Sequence, residues 1–383
     1  MISRLLAPTL ASSPKSFLLL GPRQVGKSTL IRSLNPDIEI NLANRGEFLD
    51  FSSNPRELEQ RLLAQPVETV FIDEVQKLPS ILDTIQTIID DKKKYGAIRF
   101  YLTGSSARKL KRGGANLLPG RVFTYHLGPI ASCEAGYNLD GRIGTEIGFL
   151  PEPLLSKQRS FQEKLLSSYA STYLAEEIQA EALTRNLEGF SRFIHIAAAV
   201  SGSPVDFSKV ASRAKISRHI CTRFFQILED TLVAKAIFPC EFVQAADLVK
   251  HPKYYFFDVG VLNGILGNFT ASPDRIGLLT EHLVFNQLIQ SAQANDKAIE
   301  VSSFRTRGGL EIDFIVRIDK RVWAIEVKTS ANISTTDLAG IKAFARYFHG
   351  HYEGVVAVLD GREKKIDGVR VLPWQKLLKE MGL

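Results

Sequence analysis

Cysteine is scarce in this sequence: Cys133, Cys221 and Cys240 stand far apart in 383 residues. Three scattered thiols exclude a disulfide framework and a zinc site of clustered ligands, and they read as core thiols. Also missing is any run near the 18 or so unbroken apolar residues that a membrane span requires. The first residues, MISRLLAPTLASSPKS, lack the apolar segment and cleavage site of a secretory leader and pass straight into a strand-like run. A cytoplasmic protein with no membrane partner is the expectation. There is no internal repeat and no low-complexity tract, so the length goes into domains rather than an array or a tail.

A chain of 383 residues exceeds what one core organises, and its 45% hydrophobic content is enough to fold two or three domains. The formal charge of +7 favours an acidic partner such as nucleic acid. Residues 1–130 alternate apolar strand runs, at 16–20, 38–43, 68–73, 98–104 and 122–128, with helical stretches. That alternation predicts an α/β domain with a parallel sheet. One helix spans LPSILDTIQTIIDDKKKYG, with Ile81, Ile85, Ile88 and Ile89 as its apolar face. Residues 131–250 read as helical, with helix–turn–helix spacing at about 203–240, and a new αβ segment fills 251–383.

GPRQVGKS at 21–28 fits the phosphate-loop pattern G-x-x-x-x-G-K-[ST] and lies between an apolar strand and the helix TLIRSL. Glycines in such a loop let backbone N–H groups curl round a phosphate. The loop, Gly21, Pro22, Arg23, Gln24, Val25, Gly26, Lys27 and Ser28 with Thr29 behind it, is therefore the expected ATP cradle. Lys27 would reach the β- and γ-phosphates, and Ser28 would offer its hydroxyl to Mg²⁺. ETVFIDE is an apolar strand that ends in two acids. Asp73 would hold the Mg²⁺, and Glu74 would orient and activate the attacking water. The strand IRFYLTGSS is expected between the phosphate-loop strand and the acidic one, with Thr103 or Ser105 sensing the γ-phosphate or closing a simple turn. Arg108 and Arg121 are candidates for stabilising transition-state charge, in their own subunit or across an interface; otherwise they are solvated arginines.

GPRQVGKSTL, FIDEVQKLP and YLTGSSARKL, followed by LPGR, resemble a large prokaryotic family of AAA-type ATPases of unassigned function. The resemblance runs end to end. It implies a P-loop ATPase core, a helical and winged-helix middle, and a C-terminal domain similar to restriction-endonuclease folds.

In the middle segment Val210, Ala211 and Ala214 suit the buried face of a first helix, and AKIS makes the turn. Ile220, Phe224, Ile227 and Leu228 suit the core face of a second helix, and LVAKAIFP suits a wing strand. The second helix would then expose Arg218 and Arg223, flanked by Lys209, Arg213 and Lys215, as phosphate contacts to DNA need. The same module serves equally as a protein–protein hinge.

Near the C-terminus, a period of two puts Ile312, Phe314 and Val316 on one strand face and Glu311 and Asp313 on the other. The next strand puts Glu326 and Lys328 opposite Trp323, Ile325 and Val327. If the strands pair, Asp313, Glu326 and Lys328 converge. This matches the D…E-x-K arrangement of the nuclease superfamily that the domain resembles. The resemblance implies Mg²⁺ on Asp313 and Glu326, Glu281 as an added acid, and Lys328 activating water. The EID here departs from the Pro-Asp of the family pattern. The plain alternative is a solvated network of charges. Tyr254, Tyr255, Phe256 and Phe257 read as core aromatics, and Asp258 with Gly260 as a turn. The two functions left open are an ATP-dependent DNA-processing enzyme and a nucleotide switch that recruits a protein partner. Self-association stays open with both.

Overall fold

The structure, a computed structural model, describes residues 2–105, 118–173, 187–243 and 248–383. Arg108 and part of the helical run expected after residue 163, residues 174–186, lie outside them. The chain divides into two compact units, Met1–Gly128 with Asp230–Leu232 and Pro129–Glu229 with Val233–Leu383. No helix among the described residues is long and apolar enough to cross a membrane.

In the first unit, bulky apolar runs bounded by turn formers become buried strands. β1 is Ser16–Leu20, followed by the short helix α1, Lys27–Arg32, and by β2, Ile38–Asn41. β3 is Thr69–Asp73, α2 is Ile81–Asp90, β4 is Arg99–Gly104 and β5 is Val122–His126. The strands pair in parallel in the order β2-β3-β4-β1-β5. β4 therefore lies between the phosphate-loop strand and the acidic strand, as expected, and the sheet is that of a P-loop NTPase. Leu20 pairs with Gly104 and with His126, so the segments leaving β1 and β4 emerge side by side at one edge. Open parallel sheets form their sites at such carboxyl ends. α2 buries Ile81, Leu82, Ile85 and Ile88, and half-buried Ile89 packs against the same core. Leu82 widens the isoleucine stripe, because a helix in a packed layer turns about 100° or more of its surface inward.

In the second unit, helices α3 (Leu187–Ala199), α4 (Phe207–Ala214) and α5 (Arg218–Asp230) share a core with a small antiparallel sheet. That sheet pairs β6 (Ala234–Ile237) with β7 (Lys253–Phe256). Asp206 caps α4 by accepting from the N–H groups of Ser208 and Lys209. Lys215 closes α4 in the left-handed region, φ 55°, and makes the turn. The buried face of α4 is Val210, Ala211 and Ala214, as expected. α5 buries Cys221, Phe224, Phe225, Ile227 and Leu228, while Ile220 is only half-buried. Phe225 belongs to that face because its ring meets Phe193 at 4.9 Å and Tyr254 at 4.3 Å. Tyr254 sits on β7, so one core spans the boundary expected at residue 250. The pairing partner of β6 lies beyond that point in sequence and left no local trace.

Asp258 and Gly260 are not a free turn. Asp258 caps helix α6, Val259–Leu266, accepting from the Val261 N–H at 3.1 Å. Its other oxygen accepts from the Phe149 N–H at 2.7 Å.

Helix α7, Ile276–Ala294, is followed by a mixed sheet. Its strands are β8 (Glu300–Arg305), β9 (Glu311–Ile318), β10 (Arg321–Lys328), β11 (Glu353–Val358), β12 (Lys364–Ile366) and β13 (Val369–Pro373). Their order is β12-β13-β11-β10-β9-β8. β9 and β10 pair antiparallel from Arg321↔Ile318 to Ile325↔Phe314. The strict alternation expected along β9 fails at Ile312. Ile312 joins Ile315, Ala324 and Phe344 in one cluster, whereas Phe314 packs against Tyr255 and Phe285. The cause is a register shift against β8 between Ser302 and Phe304, since an extra residue in a strand inverts the facing beyond it.

Candidate active site

The loop after β1 turns through two left-handed residues, Gln24 at φ 63° and Gly26 at φ 90°. Gly26 takes that conformation freely, whereas a non-glycine residue there stores strain of order 1–3 kcal/mol. Gly21 has a packing role as well: a Cβ on it would stand 2.1 Å from the Leu127 carbonyl oxygen. Val25 is fully buried, so it offers the loop's interior only its backbone. Thr29 is exposed on α1. Arg4, which sequence reasoning missed, donates to the Val25 carbonyl at 2.9 Å and to the Gly128 carbonyl at 2.8 Å. It clips the loop to the chain leaving β5, and such a long-range contact has no local signature.

Lys27 is 5% exposed. Its Nζ donates to the carbonyl oxygens of Gly21 and Pro22, both at 2.8 Å, so the loop is folded round the ammonium. Ser28 Oγ donates to Asp73 Oδ2 at 2.7 Å. A buried ammonium, a curled loop and an adjoining hydroxyl–carboxylate pair form the donor set that a magnesium–triphosphate takes, since Mg²⁺ prefers hard oxygens. The residues fit the group.

Thr103 is fully buried, and its hydroxyl donates to Asp73 Oδ1 and accepts from the Glu74 N–H at 3.2 Å. It braces the acidic pair from the end of β4. Glu74 is held in the left-handed region, φ 59°. Its carboxylate accepts from Gln76 Nε2, which also donates to Ser105 Oγ at 3.1 Å. Arg121 is placed elsewhere. It precedes β5, whose first residue pairs with Ser16, while the loop follows Leu20 at the far end of β1. A strand of that length separates them by roughly 15 Å. Arg121 instead forms two 2.7 Å hydrogen bonds to Asp90. It does not reach the phosphate loop of its own chain.

In the second unit the expected acids and lysine do gather. Lys253, on β7 and only 4% exposed, lies 3.2 Å from both Glu281 on α7 and Glu311 on β9. The Tyr255 hydroxyl also donates to Glu281. Lys328 lies 2.8 Å from Glu326 and 3.5 Å from Asp337. Where the β9–β10 ladder ends, Asp313 Oδ2 accepts from the Val327 N–H at 2.8 Å. Burial, with repulsion from Glu281 and Glu326, holds Asp313 well above the usual carboxylate range, against the pull of Lys253. Burial also raises Glu326, opposed by Lys328. For both lysines burial works against the charge, and their acidic neighbours more than offset it, Glu281 foremost at Lys253 and Glu326 at Lys328.

Among the described residues no three Asp, Glu, His or Cys side chains are arranged to hold a metal ion. The carboxylates expected as ligands, Glu281, Asp313 and Glu326, are turned to Lys253 and Tyr255, to a backbone N–H, and to Lys328. Lys253 was not anticipated, because it lies about 60 residues before β9 in a stretch read only for its aromatics. Lys253→Ala should cost about 1–3 kcal/mol, because the half-buried Glu281 and Glu311 lose the cation that pairs them. Denaturant unfolding checks this, and a loss below about 1 kcal/mol would mean a solvated, weak network.

The basic helix keeps Arg218 exposed and Arg223 half-buried in the first two turns of α5, while Lys209 and Arg213 on α4 and Lys215 in the turn are exposed.

Residues 13–135 match the family model of an AAA domain. Residues 145–272 and 276–377 match two further models, each of a domain of unknown function. An uncharacterized protein of Mycobacterium bovis and one of Mycobacterium tuberculosis are each 23% identical over 329 residues, 83% of this chain and 71% of theirs. Among solved structures, the Aeropyrum pernix ORC1 protein in complex with DNA has a TM-score of 0.30 at 12% identity, over 72% of this chain and 91% of that one. RuvB of Thermotoga maritima has a TM-score of 0.27 at 14% identity, over 60% of this chain and 86% of its own. Likenesses this distant say nothing of what this chain binds. The segment at 13–135 is an AAA-type, nucleotide-binding ATPase domain, with its phosphate loop at 21–28.

Proposed function

We propose that the chain hydrolyses MgATP between β1 and β3, and that its nucleotide state governs how the basic start of α5 engages DNA. The observation that carries the hydrolytic part is Asp73, which accepts from Ser28 Oγ on one oxygen and from Thr103 on the other, with Glu74 next in sequence. Lys27 would leave the Gly21 and Pro22 carbonyls for the phosphates, which are stronger acceptors for a buried ammonium. Ser28 and Asp73 would hold Mg²⁺, which when bound supplies positive charge to the phosphate oxygens. Glu74 would orient a water in line with the γ-phosphate. Arg121 is out of reach of its own loop, so it would contribute only across an interface between copies of the chain.

The DNA part rests on exposed Arg218 at the start of α5, with exposed Lys209 and Arg213 on α4 and exposed Lys215 in the turn between the two helices. Phosphate contacts make affinity salt-dependent. A winged-helix reading of α3, α4, α5 and the β6–β7 sheet, and a restriction-endonuclease-like reading of the C-terminal sheet, belong to this proposal.

A second reading is favoured by Lys253. A buried ammonium already seated between Glu281 and Glu311 suits a C-terminal domain that docks a protein partner and cleaves nothing.

One set of measurements separates these readings: duplex binding across a salt series, and plasmid nicking with Mg²⁺ or Mn²⁺, each with and without ATP. We expect binding whose salt slope falls by about 2 when Arg218 and Arg223 are both replaced by alanine. Absence of duplex binding, or an unchanged slope, removes the DNA role. Metal-dependent nicking abolished by Lys328→Ala would overturn the docking reading.

A further inference from the structure

Gln76 is a polar side chain at the acidic pair that the hydrolytic reading leaves without a task. It lies in the short helical turn Val75–Lys77, directly after Glu74, and is 8% exposed. Its carboxamide is held from one side only. Nε2 donates both to the Glu74 carboxylate and to Ser105 Oγ at the end of β4, the latter at 3.1 Å. Oε1 is buried with no hydrogen-bond partner among the described residues. The two donors therefore fix which way the amide faces, because the reverse orientation would set an oxygen against a carboxylate. Room for it comes from Gly104, where a Cβ would stand 3.0 Å from Oε1. Glu74 is itself in a left-handed backbone conformation, which aims its side chain but leaves the carboxylate able to rotate.

We infer that Gln76 is a positioning residue for Glu74: it locks the carboxylate by tying it to the tip of β4, so that the oxygen not bound to Gln76 meets the attacking water in one orientation. The inference rests on the hydrolytic reading of the site. Gln76 touches neither nucleotide nor metal in this role, so its removal acts on the chemical step and leaves nucleotide binding alone. β4 also carries Thr103, which braces Asp73 and the Glu74 backbone. The same strand end thus fixes both acids, one through a hydroxyl and one through an amide.

The test uses the full-length chain, with phosphate release from MgATP and the ATP-induced thermal shift as readouts. Gln76→Met keeps length and apolar volume and removes both donors. It should lower kcat by about 10–100-fold, as loss of alignment by an ångström does, with KM for ATP and the thermal shift within about twofold of the wild type. In a Glu74→Gln background the same change should alter the residual rate by less than about twofold, because the group it positions no longer acts. Gly104→Ala, which pushes on Oε1 without touching Glu74, should lower kcat by about 3–10-fold at unchanged KM, and it decides the question if Gln76→Met does not fold. A kcat within about twofold of wild type, a parallel change in kcat and KM, or a full multiplicative loss in the Glu74→Gln background would overturn the inference. A wild-type chain without Mg²⁺-dependent turnover would overturn the hydrolytic reading itself, a result distinct from active wild type with active Gln76 variants.

Discussion

Glu74→Gln should leave MgATP binding intact and lower turnover by about 10²–10⁴-fold, the range that a positioned general base contributes. The two side chains have the same shape, so the left-handed backbone at residue 74 and the Thr103 contact to its N–H have no reason to move. The amide oxygen can still accept from Gln76 Nε2, so the tie to Ser105 survives. Lost is the negative charge that polarises water toward the γ-phosphate. Asp73 and Ser28, which would hold the metal, keep their pairing. Binding and turnover should therefore separate: the ATP-induced rise in melting temperature stays, and phosphate release collapses. Turnover within a few-fold of the wild type would remove Glu74 from the mechanism. A parallel loss of the thermal shift would show instead that the substitution had damaged the loop.

What the sequence disclosed and what it hid follow from the range of the forces involved. β1, β3 and β4 were legible because each is a run of bulky apolar residues between turn formers, buried at nearly every position. Such runs belong to a parallel sheet covered on both faces. The phosphate loop and the acidic pair were legible because each is a contiguous motif. α4 was legible because its apolar period, Val210, Ala211 and Ala214, is local. Arg4, Gln76 and Lys253 escaped because each acts on residues brought near only by the fold: Val25, Ser105 and the acids of α7 and β9. The β6–β7 pairing across residue 250 escaped for the same reason. Ile312 was misassigned because a period of two presumes an unbroken register, and the shift against β8 breaks it. Arg121 was a fair candidate by proximity to β4 in sequence, yet a parallel strand carries its first and last residues to opposite edges of the sheet. Position along the chain could not tell which edge.

Lys27→Ala should nearly abolish the stabilisation that ATP confers. The ammonium is 5% exposed and donates to the loop carbonyls of Gly21 and Pro22, at 2.8 Å each. A buried charge placed there interacts with a polyphosphate at low effective dielectric, where truncating one partner of a hydrogen-bonded charge pair costs roughly 2–5 kcal/mol. That corresponds to about 30- to several-thousand-fold in affinity. At ATP equal to 100 times the wild-type Kd, binding stabilises the native protein by about 2.7 kcal/mol. A variant weakened by about 100-fold keeps only about 0.4 kcal/mol of that, and one weakened by about 1,000-fold keeps less than about 0.1 kcal/mol. The variant's unliganded melting temperature should fall too, since the Gly21 and Pro22 carbonyls lose their donor. The quantity to compare is therefore each protein's own shift between the free and ATP-bound states. Titration calorimetry gives the same answer from the other side, as a Kd raised by about 30-fold or more. If Lys27→Ala keeps wild-type affinity and a full thermal shift, the loop at 21–28 is not where the phosphates sit.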